Sequence, residues 1–219
     1  MAKFDFFWNT RNYNRRFPKD YGLVRTIYIT WFLYFVVWFV GIFFYNVKFI
    51  GWKNVDRKKR YIYTSNHQSY LDAPILSMVA NAPVAYMAKE ELYKHKNPLI
   101  KFLVISLGAF SVNRYKPEIA TFKTIKDIVN HTKWNLGIFP QGQTSDENPK
   151  PEEIRGGFVS VAKMAKMDIV PVAICGFTGY TILPFSKHLT FKIGEPIPYQ
   201  LTEDEIVEKW IAFMDENLK

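Results

Sequence analysis

The chain has 219 residues, of which 48% are hydrophobic, and its 29 Lys+Arg against 20 Asp+Glu give a formal net charge of +9. This length suits one domain, and the apolar content excludes a generally disordered chain. Residues 1–60 hold 12 of the basic and 3 of the acidic side chains, together with 19 of the 38 aromatic ones. Residues 61–219 are neutral overall, which excludes a uniformly basic nucleic-acid binder.

A run of 19 residues without a charge, 27–45, dominates the N-terminal part. As one helix it would be about 28 Å long, barely enough to cross a hydrocarbon core of about 30 Å. A first basic cluster precedes the run and a second one follows it, so a single span would export one of them. The first comprises Lys3, Arg11, Arg15, Arg16, Lys19 and Arg25, and the second Lys48, Lys53, Arg57, Lys58, Lys59 and Arg60. We therefore expect residues 1–46 to be a helical segment that anchors the protein monotopically to the cytoplasmic face of a membrane, with both clusters beside anionic headgroups. A true span and a buried core helix are the alternatives.

The single cysteine, Cys175, cannot form an intramolecular disulfide, and no Cys/His spacing near it suggests a zinc site. A reducing, cytosol-facing environment is the expectation. The sequence also lacks a P-loop, a dinucleotide fingerprint and a G-x-S-x-G nucleophile elbow. These absences argue against a nucleotide-driven reaction and against a serine esterase.

From residue 47 to residue 219, strand-like and helix-like runs alternate, which predicts an α/β domain with a mixed, largely parallel sheet flanked by helices. The predicted strands are 47–50, 61–65, 84–88, 109–112, 136–139, 169–175 and 189–193. The predicted helices are 72–80, 90–107 with a break at Pro98, 118–131, 158–166 and 203–217. A loop of turn-forming residues is predicted over 140–151.

The candidate chemical centre is the segment 66–72, NHQSYLD, which lies between a predicted strand and a predicted helix. The positive end of a helix dipole disfavours an imidazolium, so His67 is expected to be neutral and able to accept a proton. Asp72 could bind one ring nitrogen and leave the other exposed as a base. Alternatively Asp72 only caps the helix, because Ser69-x-x-Asp72 is a variant of the capping box.

Three further segments follow or form predicted strands. Arg114, at the end of GAFSVNR, could bind a phosphate or be a solvated surface charge. The turn FPQGQTS, residues 139–145, could hold an oxyanion or a hydroxyl-rich acceptor through its N–H groups and amides, or be an ordinary surface turn. The segment IVPVAI, residues 169–174, is a buried strand whose main role is packing.

These four segments, in this order, resemble the four blocks of the glycerolipid acyltransferases of the lysophosphatidic acid (1-acyl-sn-glycerol-3-phosphate) acyltransferase type. The resemblance covers residues 47–195. It implies that His67 is the general base for the acceptor hydroxyl and that Asp72 orients and polarises it. It further implies that Arg114 binds the acceptor's phosphate, and that Arg155 reaches the same phosphate. The other block positions that the resemblance places at the acceptor site are Asn66, Ser69, Phe139, Pro140, Gln141 and Gly142.

The resemblance implies transfer of a fatty acyl group to the free hydroxyl of a lysophospholipid, most favourably 1-acylglycerol-3-phosphate, in phospholipid biosynthesis. The expected partners are membrane lipids and an acyl donor, either acyl-coenzyme A or acyl-carrier protein, which acts as co-substrate. No cofactor, metal or nucleic acid is expected. The chemistry agrees, because a thioester is already activated and needs only a deprotonated, well-placed alcohol.

The third block departs from the family pattern at two positions. Gln141 stands where Glu is usual, and Thr144 where Arg is usual. Gln141 can still form hydrogen bonds, but it cannot pair with a cation. The acceptor is therefore either a lysophospholipid or a less charged lipid such as a glycolipid. A non-catalytic lipid-binding relative and an enzyme without a membrane role are the remaining alternatives. Because a basic cluster ends at Arg60, shortly before His67, we expect the active site to open near the headgroups.

Overall fold

The structure, a computed structural model, describes residues 15–32, 35, 38–69, 72–94, 96–112, 118–141, 156–177, 180–181 and 183–218. Its strands are β1 (Lys48–Ile50), β2 (Ile62–Ser65), β3 (Val84–Lys89), β4 (Phe110–Val112), β5 (Asn135–Ile138), β6 (Ile169–Cys175) and β7 (Thr190–Ile193). Its helices are α1 (Leu23–Phe32), α2 (Trp38–Tyr45), α3 (Asp72–Ala80), α4 (Glu90–Tyr93), α5 (Pro98–Ser106), α6 (Ile119–His131), α7 (Gly157–Ala165) and α8 (Glu203–Asn217).

The seven strands form one sheet in the order β1-β7-β6-β2-β5-β3-β4. Neighbouring strands are parallel except for the antiparallel pair of β6 and β7. The predicted mixed, largely parallel α/β fold is therefore confirmed. All four residues of β2 and of β5 are buried. A parallel strand covered on both faces reads as a continuous apolar run, which is why the sequence pattern located these strands well.

The helix predicted over residues 90–107 is two helices, α4 and α5, and α5 begins at Pro98. Proline is tolerated in the first turn of a helix, where its missing N–H has no intrahelical partner, but not in the interior. The break is therefore placed by the proline ring itself.

The described residues of the uncharged run 27–45 lie mostly in the helices α1 and α2. Helix α1 begins earlier than the run, at Leu23, and α2 ends at Tyr45. Within the described part of the chain, no helix combines the length and the apolar character needed to cross a membrane. Helix α1 packs on the domain: the indole N–H of Trp134 donates to Thr26 Oγ1 at 2.9 Å, and the Tyr21 ring meets Trp134 edge-on.

The described arginines before and within α1 make contacts with the rest of the domain. Arg25 is fully buried and donates to the carbonyl of Ile105 at 2.7 Å, while Arg15 pairs with Asp127. Burial, and then the neighbouring charge of Arg16, lowers the pKa of Arg25 to about 10. The expectation that both basic clusters lie beside headgroups is therefore wrong for Arg16 and Arg25, which are buried.

In the second basic cluster, arginines and lysines differ in their contacts and exposure. Arg60 donates to the carbonyls of Val129 and Thr132, at 2.9 and 2.8 Å, and so binds the C-terminal end of α6. Arg57 stacks over the ring of Trp52. A guanidinium is weakly hydrated and presents a planar fork to carbonyls and rings, whereas an ammonium is strongly hydrated. Among the described residues 15–60, the exposed basic side chains are all lysines: Lys19, Lys48, Lys53, Lys58 and Lys59.

The contact between α1 and the domain makes a stability prediction. Thr26→Val keeps the shape of the side chain but leaves the buried N–H of Trp134 without its acceptor. We expect the free energy of unfolding to fall by about 1–3 kcal/mol, measured by urea denaturation in a mild detergent. Thr30→Val is the matched control, because the Thr30 hydroxyl binds only the carbonyl of Thr26 in its own helix. Equal stability of the two variants would contradict the docking of α1.

Candidate active site

The candidate site lies at the edge of the sheet where the parallel strands end. His67 follows β2, which ends at Ser65, and Phe139 and Gln141 follow β5, which ends at Ile138. Crevices at the carboxyl ends of parallel strands are the usual ligand sites of such sheets. Arg60 precedes β2, so β2 separates it from His67, and nearness in sequence does not place the site beside this basic cluster. That argument for an active site near the headgroups is therefore wrong.

One carboxylate oxygen organises the loop between β2 and α3. Oδ2 of Asp72 accepts from the ring Nδ1 of His67 at 3.0 Å and from the backbone N–H groups of Gln68 and Ser69 at 2.6 and 2.8 Å. Asp72 is the first residue of α3, and it is buried. The capping and the orienting interpretations are thus both seen, because the same oxygen binds the loop N–H groups and the imidazole.

The His67 ring is fixed on one side and open on another. With Nδ1–H donated to Asp72, the lone pair of the neutral imidazole lies on Nε2. The described residues offer Nε2 no hydrogen-bond partner, and the side chain is 17% exposed. The ring stacks on Phe139, with centroids 4.1 Å apart and an interplanar angle of 19°. This arrangement holds the imidazole ring in place and leaves its side chain partly exposed.

Behind Phe139 the support continues into the core. Tyr86 lies parallel to the Phe139 ring, with centroids 6.0 Å apart, and its hydroxyl shares a 2.9 Å hydrogen bond with Ser77. Burial raises the pKa of Tyr86, so this phenol stays neutral. The stack joins β3, β5 and the loop after β2. In the sequence, only an aromatic residue in the third block indicated it.

Asn66 ties the loop to the neighbouring strand. Its amide Nδ2 donates to the carbonyl of Ile174 at 2.9 Å, and its Oδ1 accepts from the N–H of Ile174 at 2.8 Å. The residue is fully buried. A side-chain amide that imitates a backbone pair in this way extends the pairing of β2 and β6 beyond Ser65. The fourth block therefore has a positioning contact that the sequence, which indicated packing, did not reveal.

Gln141 binds the backbone of the histidine rather than its ring. Its Oε1 accepts the N–H of His67 at 2.8 Å, and the residue is almost fully buried. An amide oxygen and a carboxylate oxygen can both accept this bond, so the geometry accommodates either residue type at position 141. The amide differs from a carboxylate in that it places no negative charge beside the backbone of His67.

The other predicted site residues differ in what the structure says of them. Arg114, Gly142, Thr144 and Arg155 lie outside the described residues, so their roles stay predictions. The same holds for the predicted substrate contacts of Asn66, Ser69 and Gln141, and for the expected lack of a cofactor, a metal or a nucleic-acid partner. Ser69 contributes its backbone N–H to Asp72.

Fold and site together define an α/β domain with a histidine–carboxylate pair at the carboxyl edge of its sheet. The family model described as "Acyltransferase" matches residues 46–175, more than half of the chain. The chain belongs to this acyltransferase family, and the resemblance stated from the four blocks is confirmed.

Several curated relatives carry the name 1-acyl-sn-glycerol-3-phosphate acyltransferase. The Bacillus subtilis protein is 28% identical over 154 residues, covering 69% of this chain and 74% of the relative. The Streptococcus pneumoniae protein is 26% identical, covering 65% of this chain and 52% of the relative. The Saccharomyces cerevisiae protein is 31% identical, covering 74% and 55%. The match thus spans about half the length of two of these relatives.

A solved structure shares the fold. The crystal structure of the 1-acyl-sn-glycerophosphate (LPA) acyltransferase PlsC from Thermotoga maritima superposes with a TM-score of 0.58 at 20% sequence identity. The superposition covers 88% of this chain and 96% of that one. At this identity the likeness shows the fold, which agrees with the α/β architecture described above.

The bond from Gln141 to His67 makes a second prediction. Gln141→Leu removes the acceptor and leaves a backbone N–H of the site loop unpaired, and we expect it to destabilise the protein by about 1–3 kcal/mol. Gln141→Glu keeps an acceptor oxygen, so we expect its loss to be smaller. Urea denaturation of the two variants beside the unchanged chain measures this order. A Glu variant less stable than the Leu variant would contradict the role given to Oε1.

Proposed function

We propose that the protein transfers a fatty acyl group from a thioester, acyl-coenzyme A or acyl-carrier protein, to the free hydroxyl of 1-acylglycerol-3-phosphate. The observation that carries this proposal is His67, whose Nδ1 is bound by the buried carboxylate of Asp72 while its side chain stays 17% exposed. Family membership and the names of the relatives support the reaction class and the acceptor.

In the proposed mechanism, Nε2 of His67 takes the proton of the acceptor hydroxyl as its oxygen attacks the thioester carbonyl. The Asp72 carboxylate stabilises the imidazolium that forms, and it keeps the ring in the tautomer that presents a lone pair at Nε2. The tetrahedral intermediate then breaks its C–S bond, the leaving thiolate takes the proton back from Nε2, and the ester is formed. No enzyme nucleophile is needed because the acyl group arrives activated.

The rigid support of the ring serves the same step. A base is effective when it is held within hydrogen-bond reach of the proton, because orientation is then already determined before the reaction. Asp72 fixes the ring edge, and Phe139 fixes the ring plane. Gln141 and Asn66 fix the backbone at the start of the loop. We propose Arg114 and Arg155 as the residues that bind the acceptor's phosphate.

The less charged acceptor is a second candidate, and Gln141 is the observation that favours it. A neutral amide beneath the site removes one negative charge, and it cannot help to hold a cationic phosphate-binding group in place. A glycolipid hydroxyl would need hydrogen bonds rather than an ion pair. Both candidates use His67 and Asp72 in the same way.

We also propose monotopic attachment to the cytoplasmic face of the membrane through the N-terminal helices. Helix α1 exposes Leu23, Val24, Ile27 and Trp31, which are 49–74% accessible to solvent. Such a face is costly in water and is typical of helices that lie in the membrane interface. The exposed lysines of this half of the chain would add attraction to anionic headgroups.

The proposal predicts that His67→Ala abolishes turnover. Removal of a general base costs about 10²–10⁴-fold in rate, so we expect at least this loss of thiol release from acyl-coenzyme A in the presence of lysophosphatidic acid. His131→Ala is the matched control, because His131 is exposed on α6, far along the chain from the site loop. Near-normal turnover of the His67 variant, with an unchanged melting temperature, would remove His67 from the mechanism.

An acceptor panel decides between the two candidates. Lysophosphatidic acid, lysophosphatidylethanolamine and a monoacyl glycolipid are each offered with acyl-coenzyme A and with acyl-carrier protein. We expect lysophosphatidic acid to have the highest kcat/KM, and product formation is followed by mass spectrometry. A higher value for the glycolipid would favour the second candidate. No acceptor-dependent thiol release in any combination would indicate a non-catalytic lipid-binding relative.

A further inference from the structure

The loop between β6 and β7 exposes large apolar side chains that neither the core nor the candidate site uses. Tyr180 is 63% accessible, Leu183 64% and Phe185 58%. We propose that this loop, through its described residues 180, 181 and 183–188, enters the membrane interface together with α2, so that two separate parts of the chain form one bilayer-contacting surface. The inference rests on the proposed membrane attachment and names a second element of it.

The loop is bound to the end of α2. The last carbonyls of a helix have no partner within the helix. Here the N–H of Phe185 donates to the carbonyl of Phe43 at 2.7 Å, and the N–H of Leu189 donates to that of Tyr45 at 3.0 Å. Thr181 N–H also donates to the Tyr45 hydroxyl. The loop is therefore held against the C-terminal end of α2.

Their apolar surfaces are continuous. The rings of Phe39 and Phe43 stack with centroids 5.2 Å apart, and the ring of Phe185 meets Phe43 at the same distance. Phe185 has a φ of 53°, in the left-handed region that a bulky side chain rarely adopts. Such a backbone outlier persists only when the surroundings hold it, and here it keeps a large ring at the surface.

Several polar groups of the loop form hydrogen bonds with one another, which suits a segment that leaves water. Thr181 Oγ1 and Ser186 Oγ share a 2.7 Å hydrogen bond, the N–H of Leu183 donates to Thr181 Oγ1, and Ser186 Oγ donates to the carbonyl of Leu183. Backbone groups that enter the apolar part of a bilayer must find partners inside the protein. Leu183 thus begins a small hydrogen-bonded turn, and its side chain is exposed.

Charge and composition favour a lipid surface as the occupant. Residues 176–188 contain no Asp or Glu, and the uncharged run 27–45 that includes α2 is dense in aromatic residues. Lys48, exposed directly after α2, would lie at the level of anionic headgroups. Aromatic side chains with a lysine beside them are typical of membrane interfaces.

The bilayer-contacting surface would also determine how far His67 lies from the membrane. The loop leaves the carboxyl end of β6, and Ile174 near that end is bound to Asn66, which precedes His67. Docking of the loop would therefore bring the bilayer to the edge of the sheet that carries the base. A lipid acceptor could then reach His67 with its acyl chain still in the membrane.

The test uses the full chain with Cys175→Ser, so that a single new cysteine can carry an environment-sensitive nitrobenzoxadiazole label. The labelled positions are Leu183→Cys in the loop, Phe39→Cys on α2, and Ile211→Cys on α8 as the control. Ile211 is partly exposed beside the carboxylates of Glu208 and Asp215, which an anionic membrane repels. Vesicles of phosphatidylcholine and phosphatidylglycerol are added, with and without lipids that carry a doxyl quencher.

We expect a blue shift and doxyl quenching at positions 183 and 39, and neither at position 211. We also expect Leu183→Glu to weaken vesicle binding about tenfold, and Ile211→Glu to leave it unchanged. A spectrum typical of water at position 183 on vesicle-bound protein would overturn the proposal and leave the loop as a contact for another protein. Acyl transfer to detergent-dispersed acceptor is measured separately, so its loss would count against the proposed function and not against this surface.

Discussion

One buried carboxylate oxygen holds the candidate site together. Asp72 Oδ2 binds the His67 ring and two N–H groups of the loop that carries it, so the position of the base and the conformation of the loop have the same cause. A carboxylate in the interior is costly unless such bonds compensate for its lost hydration. Its three donors come from a loop that meets the first turn of a helix, where negative charge is also favoured. The proposed acid–base chemistry depends on this arrangement.

Around this oxygen, both strands that neighbour β2 contribute supporting residues from their carboxyl ends. Residues after β5 supply the Phe139 stack and the Gln141 acceptor, and β6 supplies the backbone of Ile174 to Asn66. Parallel order makes this possible, because all these strands end at the same edge. The order of the strands in the sheet therefore determines where the residues of the candidate site lie.

In the described residues 15–60, arginine and lysine side chains differ in their surroundings. The guanidinium groups of Arg25 and Arg60 bind carbonyl oxygens inside the domain, while lysines carry the exposed charge. The helices that bring these residues also expose aromatic and aliphatic side chains. The same segment thus packs on the domain with one set of side chains and leaves another set free for the proposed membrane surface. Its net charge alone could not separate the two sets.

The sequence by itself determined the α/β fold and most strand and helix bounds, because buried parallel strands read as apolar runs. It placed His67 and Asp72 in one short segment but left open whether Asp72 binds the ring or only caps the helix. Only the tertiary structure decided which basic residues are buried, that Gln141 and Asn66 act on the backbone, and that the β6–β7 loop joins α2. The contacts of Gln141, of Asn66 and of the loop link residues at least 74 positions apart in the chain. No local pattern encodes such pairs, since they depend on strand order and on where each chain segment returns.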